Sequence, residues 1–175
     1  MNTTIKAAPA ESAGALHLGT RLPEATFPVI RDTGPDVVHL SEKLKGRRVV
    51  IFAVPGAFTP TCDSAHVPSF IRTATALREK GVDEIICLSV NDAHVMRYWG
   101  RTTGASEAGI TMLADPDAAF TRAVGMAFSA PATGLLNRSR RYAILVEDGV
   151  VTRLHVEVKA GTCELSGGEA MLESL

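Results

Sequence analysis

The run Val49-Val50-Ile51-Phe52-Ala53 leads directly into Val54-Pro55-Gly56-Ala57-Phe58-Thr59-Pro60-Thr61-Cys62, and the reading of this junction decides the fold. Val49 to Val54 reads as a buried strand, and the Pro and Gly residues after it read as a loop. Beyond Cys62 the apolar positions Val67, Phe70, Ile71, Ala74 and Leu77 follow helical spacing until Gly81 stops them. The unit is strand, loop, helix, and it delivers Cys62 to a helix N-terminus. First-turn N–H groups are unpaired there and carry partial positive charge, which favours an anionic sulfur.

The same logic continues along the chain. Ile85 to Val90 is a second apolar run, followed by Asn91-Asp92 as a cap and a helix bearing Val95, Tyr98 and Trp99. Thr111 to Ala114 is a third strand, and Asp115-Pro116 reads as N-cap plus first-position proline of a helix carrying Phe120, Ala123 and Val124. Arg141 to Glu147 and Val150 to Val158 are strand-like runs joined by Asp148-Gly149, a strong hairpin signal. Ser166-Gly167-Gly168-Glu169 has capping-box spacing ahead of a short C-terminal helix. Alternating strands and helices followed by a hairpin imply an α/β fold, a thioredoxin-like three-layer α/β/α sandwich with a mixed central sheet. Residues 1–18, rich in Ala, Thr and Ser without periodicity, are expected to form a flexible extension, with one domain over 19–175.

Composition narrows the function. With 175 residues, 46% hydrophobic and 21% charged, the chain can bury a core. A net charge of -1 without a dense basic block gives nucleic acid and anionic membranes no purchase. No apolar stretch approaches the roughly 20 residues of a membrane span, and the first 19 residues have neither a hydrophobic h-region nor an Arg-rich amphipathic pattern, so a cytoplasmic location is expected. Three cysteines are too few for a disulfide framework and fit reactive or buried thiols in a reducing compartment.

The stretch Pro55-Gly56-Ala57-Phe58-Thr59-Pro60-Thr61-Cys62 closely resembles the signature of the peroxiredoxins, and within them the type II, atypical two-cysteine group. The likeness extends through His66-Val67-Pro68-Ser69-Phe70, Cys87-Leu88-Ser89-Val90-Asn91-Asp92 and Arg138-Ser139-Arg140-Arg141-Tyr142, and so covers residues 19–175. It implies a thiol-dependent peroxidase that reduces hydrogen peroxide and organic hydroperoxides through a Cys62 sulfenic acid, without metal or organic cofactor. Regeneration would come from glutathione and glutaredoxin or from thioredoxin, and the quaternary state would be a homodimer built on loops around the site.

Chemistry independent of family asks for a thiolate, a hydrogen-bonding group to place the oxygens and a cation for the departing charge. Thr59, three residues before Cys62 on a loop stiffened by Pro55 and Pro60, can supply the second. The resemblance assigns the third to Arg141, ahead of Arg140; a guanidinium stays protonated and offers several donors. The second thiol is open: Cys163 resembles the resolving cysteine of animal-type members, Cys87 the second cysteine of plant-type members, and an external thiol serves as well. Cys87 lies in an apolar run and reads as core, whereas Cys163 sits in a glycine-flanked loop that can move. His66, four residues after Cys62, reads as a packing or hydrogen-bonding residue rather than a metal ligand, and Tyr98 and Trp99 as core or interface aromatics. Two rivals remain: a thiol-disulfide oxidoreductase, against which Thr59 stands where a Cys-x-x-Cys pair needs its other cysteine, and a non-enzymatic redox sensor or partner-binding domain.

Overall fold

Every residue of Val49–Val54 is buried because the strand lies between two helical layers and neither of its faces meets solvent. The computed structural model describes residues 14–159 and 161–175. Its elements run in the order β1 (Thr26–Arg31), β2 (Gly34–His39), α1 (Leu40–Leu44), β3 (Arg48–Val54), a π-helical turn (Cys62–His66), α2 (Val67–Glu79), β4 (Glu84–Ser89), α3 (Ala93–Thr103), β5 (Ile110–Ala114), α4 (Ala119–Ala123), β6 (Ala127–Ala130), β7 (Leu135–Ser139), β8 (Tyr142–Glu147), β9 (Val150–Val156) and α5 (Gly168–Glu173).

The central sheet has the order β5-β4-β3-β8-β9. β3 pairs in parallel with β4, and β4 with β5, while β8 runs antiparallel to both β3 and β9. The sheet is therefore mixed. Along β3 the two-residue period of a strand sends Val50, Phe52 and Val54 to one face and Val49, Ile51 and Ala53 to the other. The first set packs with Phe70 and Leu77 of α2, Trp99 of α3 and Met171 of α5. The second packs with Leu40 and Leu44 of α1, Phe120 of α4 and Phe27 of β1. These two cores are the physical content of the three-layer sandwich.

Asp148 (φ 47°) and Gly149 (φ 81°) both adopt left-handed conformations, the requirement of the tight turn whose twist matches a hairpin, and they join β8 to β9 as the dipeptide predicts. Other local expectations need correction. The helix after Asp115-Pro116 starts only at Ala119, because Ala118 at φ 56° interrupts the chain. Asp115 still serves it from a distance: its carboxylate accepts from the N–H groups of Phe120 (3.3 Å) and Thr121 (2.8 Å) and from the Thr121 hydroxyl (2.7 Å). The capping box before α5 does not form. Ser166 Oγ is turned to Glu157 (3.0 Å), and Glu169 pairs with Arg72 (2.9 Å). The hairpins β1–β2 and β6–β7 add to the elements expected from periodicity, and Asp32-Thr33-Gly34-Pro35 is a turn signal of the ordinary kind for the first. Residues 1–13 of the expected extension lie outside the described residues. Leu16 within it is buried and its N–H donates to the Val124 carbonyl (3.1 Å), so ordered packing begins upstream of Gly19. Among the described residues no helix is long and apolar enough to cross a membrane.

α5 crosses α2 at Gly168, where a Cβ would come within 2.5 Å of the Ser69 carbonyl oxygen. Backbone cannot yield as a flexible side chain can. Gly168→Ala is expected to cost about 1–3 kcal/mol by overpacking, read as a lowered denaturation midpoint with unchanged slope; full stability in that variant would mean the two helices are not held at this spacing.

Candidate active site

Sheet topology alone brings the reactive residues to one place. Ala53, near the end of β3, pairs with Tyr142 at the start of β8, and Tyr142 pairs with Val156 at the end of β9. The loop leaving β3, Arg141 entering β8 and Glu157 leaving β9 therefore share one end of the sheet. β4, parallel to β3, ends there too, and Asn91 beyond it accepts from the Ala57 N–H (3.0 Å) and the Ser89 hydroxyl (2.6 Å), fixing the loop's course.

The loop is tight. Phe58 holds φ 63°, a left-handed conformation that is costly for an aromatic residue. Its ring is half exposed and lies 6.4 Å from that of Tyr98, itself exposed, and 6.2 Å from that of buried Trp99. Trp99 Nε1 donates to Asp63 Oδ1 (2.7 Å), which ties the turn after Cys62 to α3. That turn is π-helical, with the Val67 N–H reaching back five residues to the Cys62 carbonyl. A widened turn keeps Cys62 and His66 on one side, so both meet the same partner.

That partner is Arg141, only 2% exposed. Its Nη2 donates to Cys62 Sγ (3.2 Å) and its Nη1 to His66 Nδ1 (3.0 Å). Cys62 Sγ also receives Thr59 Oγ1 at 2.8 Å, while the same hydroxyl stands 2.8 Å from the Gly56 carbonyl. One hydroxyl proton serves one acceptor at a time, so Thr59 can donate to a thiolate, or donate to Gly56 while accepting from a thiol. Pro55 is buried and lends its carbonyl to Arg138 Nη1 (3.4 Å). Arg140 is exposed, with its N–H on the Met126 carbonyl (2.7 Å), so of the paired arginines it is Arg141 that reaches the sulfur.

His66 is wholly buried between Phe52 and Phe70, with ring centroids 5.0 and 5.7 Å away. Since a guanidinium can only donate, Nδ1 is the acceptor, and Nε2 carries the proton that it gives to the Ser166 carbonyl (2.8 Å). Burial, helped by the Arg141 charge, lowers the imidazole to about 3. It is neutral in any ordinary buffer. The residue that spacing marked as a hydrogen-bonding group thus orients the guanidinium, a role no local signal discloses because its partner lies 75 positions away.

The other two thiols differ in setting. All three cysteines are unpaired. Cys87 is at the centre of β4, wholly inside the core, and burial pushes its thiol well above the usual range, with Cys62 nearby adding to the effect. Cys163 is half-buried in the loop beside the Cys62 turn, where Thr61 Oγ1 donates to the Gly161 carbonyl (3.0 Å). Burial raises its thiol too, opposed by the Arg141 charge and reinforced by Glu157. The structure thus brings Thr59, Cys62 and Arg141 into contact, buries Pro55 in the loop that leads to them, lays the Cys163 loop against the Cys62 turn, and buries Cys87 in the sheet.

Comparison with known proteins supplies the family. The Redoxin family model matches residues 17–172. The chain is 44% identical to Peroxiredoxin-2E-2, chloroplastic, of Oryza sativa subsp. japonica over 91% of this chain and 72% of that protein, and 43% identical to Peroxiredoxin-2D of Arabidopsis thaliana over 91% and 98%. Reduced Prx3 of Vibrio vulnificus in complex with H2O2 superposes with a TM-score of 0.85 at 43% identity, covering 91% of this chain and 98% of that one. The match over residues 17–172, on a chain with this sheet, places it in the redoxin family. Within that family it belongs to the type II peroxiredoxins, thiol-dependent peroxidases.

The burial of neutral His66 has a consequence for stability. Its folded value of about 3 lies below the 6.5 of an unperturbed imidazole, so the unfolded chain takes up the proton first. Stability is full above the unfolded value and falls as pH drops toward the folded one, by about 1.4 kcal/mol per unit at the steepest. Urea denaturation between about pH 7 and pH 5, where most carboxylates stay ionised, should show this loss in the parent and a flatter profile in His66→Gln. Equal slopes would mean that His66 is not buried neutral.

Proposed function

We propose that Cys62 thiolate attacks one oxygen of hydrogen peroxide or an organic hydroperoxide, with Thr59, Arg141 and Pro55 as its catalytic surroundings. The S–O bond forms as the O–O bond breaks. The departing oxygen leaves as hydroxide or alkoxide and takes up a proton to become water or an alcohol, while the sulfur is oxidised to sulfenic acid. Arg141, itself 2% exposed, offers fixed donors to the charge that grows on the oxygens, and donors held out of water are worth most. Thr59 turns its proton from the sulfur to the incoming peroxide, and Pro55 denies the loop an alternative course. No metal or organic cofactor enters this scheme.

The observation that carries the reading is the double grip on Cys62 Sγ, by Thr59 Oγ1 at 2.8 Å and Arg141 Nη2 at 3.2 Å. For the second thiol we favour Cys163 over Cys87, because its loop touches the Cys62 turn at Thr61 whereas Cys87 is locked in a central strand. The resulting disulfide would be reduced by glutathione with glutaredoxin, or by thioredoxin. A homodimer covering exposed Phe58 and Tyr98 beside the site, in the reducing cytoplasm that three unpaired thiols suit, completes the proposal.

Steady-state peroxide consumption with excess thiol reductant tests the scheme. The parent should turn over many equivalents, and consumption of a single equivalent would favour a sensor instead. Arg141→Ala should lose about 10²–10³ in rate, the usual effect of removing a fixed donor to developing charge; an unchanged rate would remove Arg141 from the chemistry. In Cys163→Ser, mass spectrometry of peroxide-treated protein should find Cys62 sulfenic acid or its glutathione adduct in place of an internal disulfide, and persistence of that disulfide would transfer the role to Cys87.

A further inference from the structure

Glu157, the residue that follows β9, has no part in the peroxide step, yet it is a carboxylate only 4% exposed. Its Oε1 accepts from the Leu165 N–H (2.7 Å), the Ser166 N–H (2.8 Å) and the Ser166 hydroxyl (3.0 Å). Its Oε2 faces the Thr162 hydroxyl (3.1 Å), which is shared with the Lys159 carbonyl (3.0 Å). All four donors belong to the loop that carries Cys163. Burial works to raise this carboxyl, but the donors outweigh it and hold Glu157 below the usual carboxylate range, so the clasping group is an anion.

The gripped loop also touches the reactive turn at both of its ends. Gly161 offers its carbonyl to Thr61 Oγ1 (3.0 Å), and Ser166 offers its carbonyl to His66 Nε2 (2.8 Å). The Cys163 sulfur lies 3.7 Å from where a Cβ on Gly167 would stand, among the residues that Glu157 holds, while Cys62 Sγ is occupied by Thr59 and Arg141. A loop that leaves the carboxylate also strips Thr61 and His66 of their acceptors.

We propose that Glu157 is a positioning residue for the resolving step: a carboxylate clasp that seats the Cys163 loop while Cys62 is reduced, and whose release governs how fast the internal disulfide forms. This rests on the reading of Cys163 as the resolving thiol. In that step the Cys163 thiol loses its proton, its sulfur attacks the Cys62 sulfur, the S–S bond forms and the S–O bond of the sulfenic acid breaks. Hydroxide departs and recombines with the proton as water, so Cys163 is oxidised and Cys62 reduced by equal amounts. A clasp that opens slowly lengthens the life of the sulfenic acid and leaves it available to an external thiol.

Rapid mixing of the reduced full-length protein with one equivalent of hydrogen peroxide, quenched and read by mass spectrometry, gives separate rates for sulfenic acid and disulfide formation. In Glu157→Gln, which keeps the shape and loses the charge, the ratio of the second rate to the first should rise about tenfold, the equivalent of about 1.4 kcal/mol. Thr162→Val, a milder change, should shift the ratio the same way by less. Iodoacetamide alkylation of Cys163 in a Cys62→Ser background should quicken in parallel. If the disulfide forms but neither ratio nor alkylation rate moves, Cys163 stands and the clasp falls. If the parent forms no Cys62–Cys163 disulfide, the resolving role of Cys163 falls, and that of Glu157 with it.

Discussion

A guanidinium taken almost wholly out of water must find its acceptors inside the protein, and Arg141 imposes that condition on everything around it. Desolvating a permanent cation costs several kcal/mol even after relaxation. The offset comes from polarisable or anionic acceptors placed in its plane, here Cys62 Sγ and His66 Nδ1. The condition propagates outward. His66 can accept at Nδ1 only if its proton sits on Nε2, that proton needs the Ser166 carbonyl, and Ser166 is fixed in turn by Glu157. The sulfur's setting is thus specified by a chain of groups drawn from the Cys62 turn, the entrance to β8, the exit of β9 and the approach to α5.

Antiparallel pairing of β8 with β3 is what makes this chain of contacts short. Register does the positioning: with Ala53 opposite Tyr142 and Tyr142 opposite Val156, Arg141 and Glu157 fall beside the loop that β3 emits, and the Glu157 N–H closes on the Arg141 carbonyl at 3.0 Å. A slip of one residue would turn the side chains of β8 over, exchanging Ile144 and Tyr142 in one core with Ala143 and Leu145 in the other. The core therefore guards the site's geometry.

Legibility in the sequence followed contact range. The strand, loop and helix around Cys62, the β4 and β5 runs and the Asp148-Gly149 hairpin depend on neighbours in the chain, and each was readable from periodicity or turn chemistry. Thr59 was readable by its spacing to Cys62, and Arg141 only through likeness to a family. Where a short-range rule competed with a long-range partner it misled: Ser166 and Glu169 have the spacing of a capping box, but Glu157 and Arg72 claim their side chains. Asp115 does cap its helix, across an intervening left-handed residue that no propensity announces. His66 was readable as a packing or hydrogen-bonding residue but not by its partner, and Glu157 escaped altogether, because both are defined by groups that adjoin them only once the sheet exists.

Cys62 and Arg141 are separated by 79 positions along the chain, and Arg141, just ahead of β8, is synthesised long after Cys62. A growing polypeptide that has exposed Cys62 but not yet Arg141 has no guanidinium to set beside the sulfur. The contact of sulfur with guanidinium thus appears only on completion of the sheet, and it belongs to the finished fold rather than to any local stretch of chain.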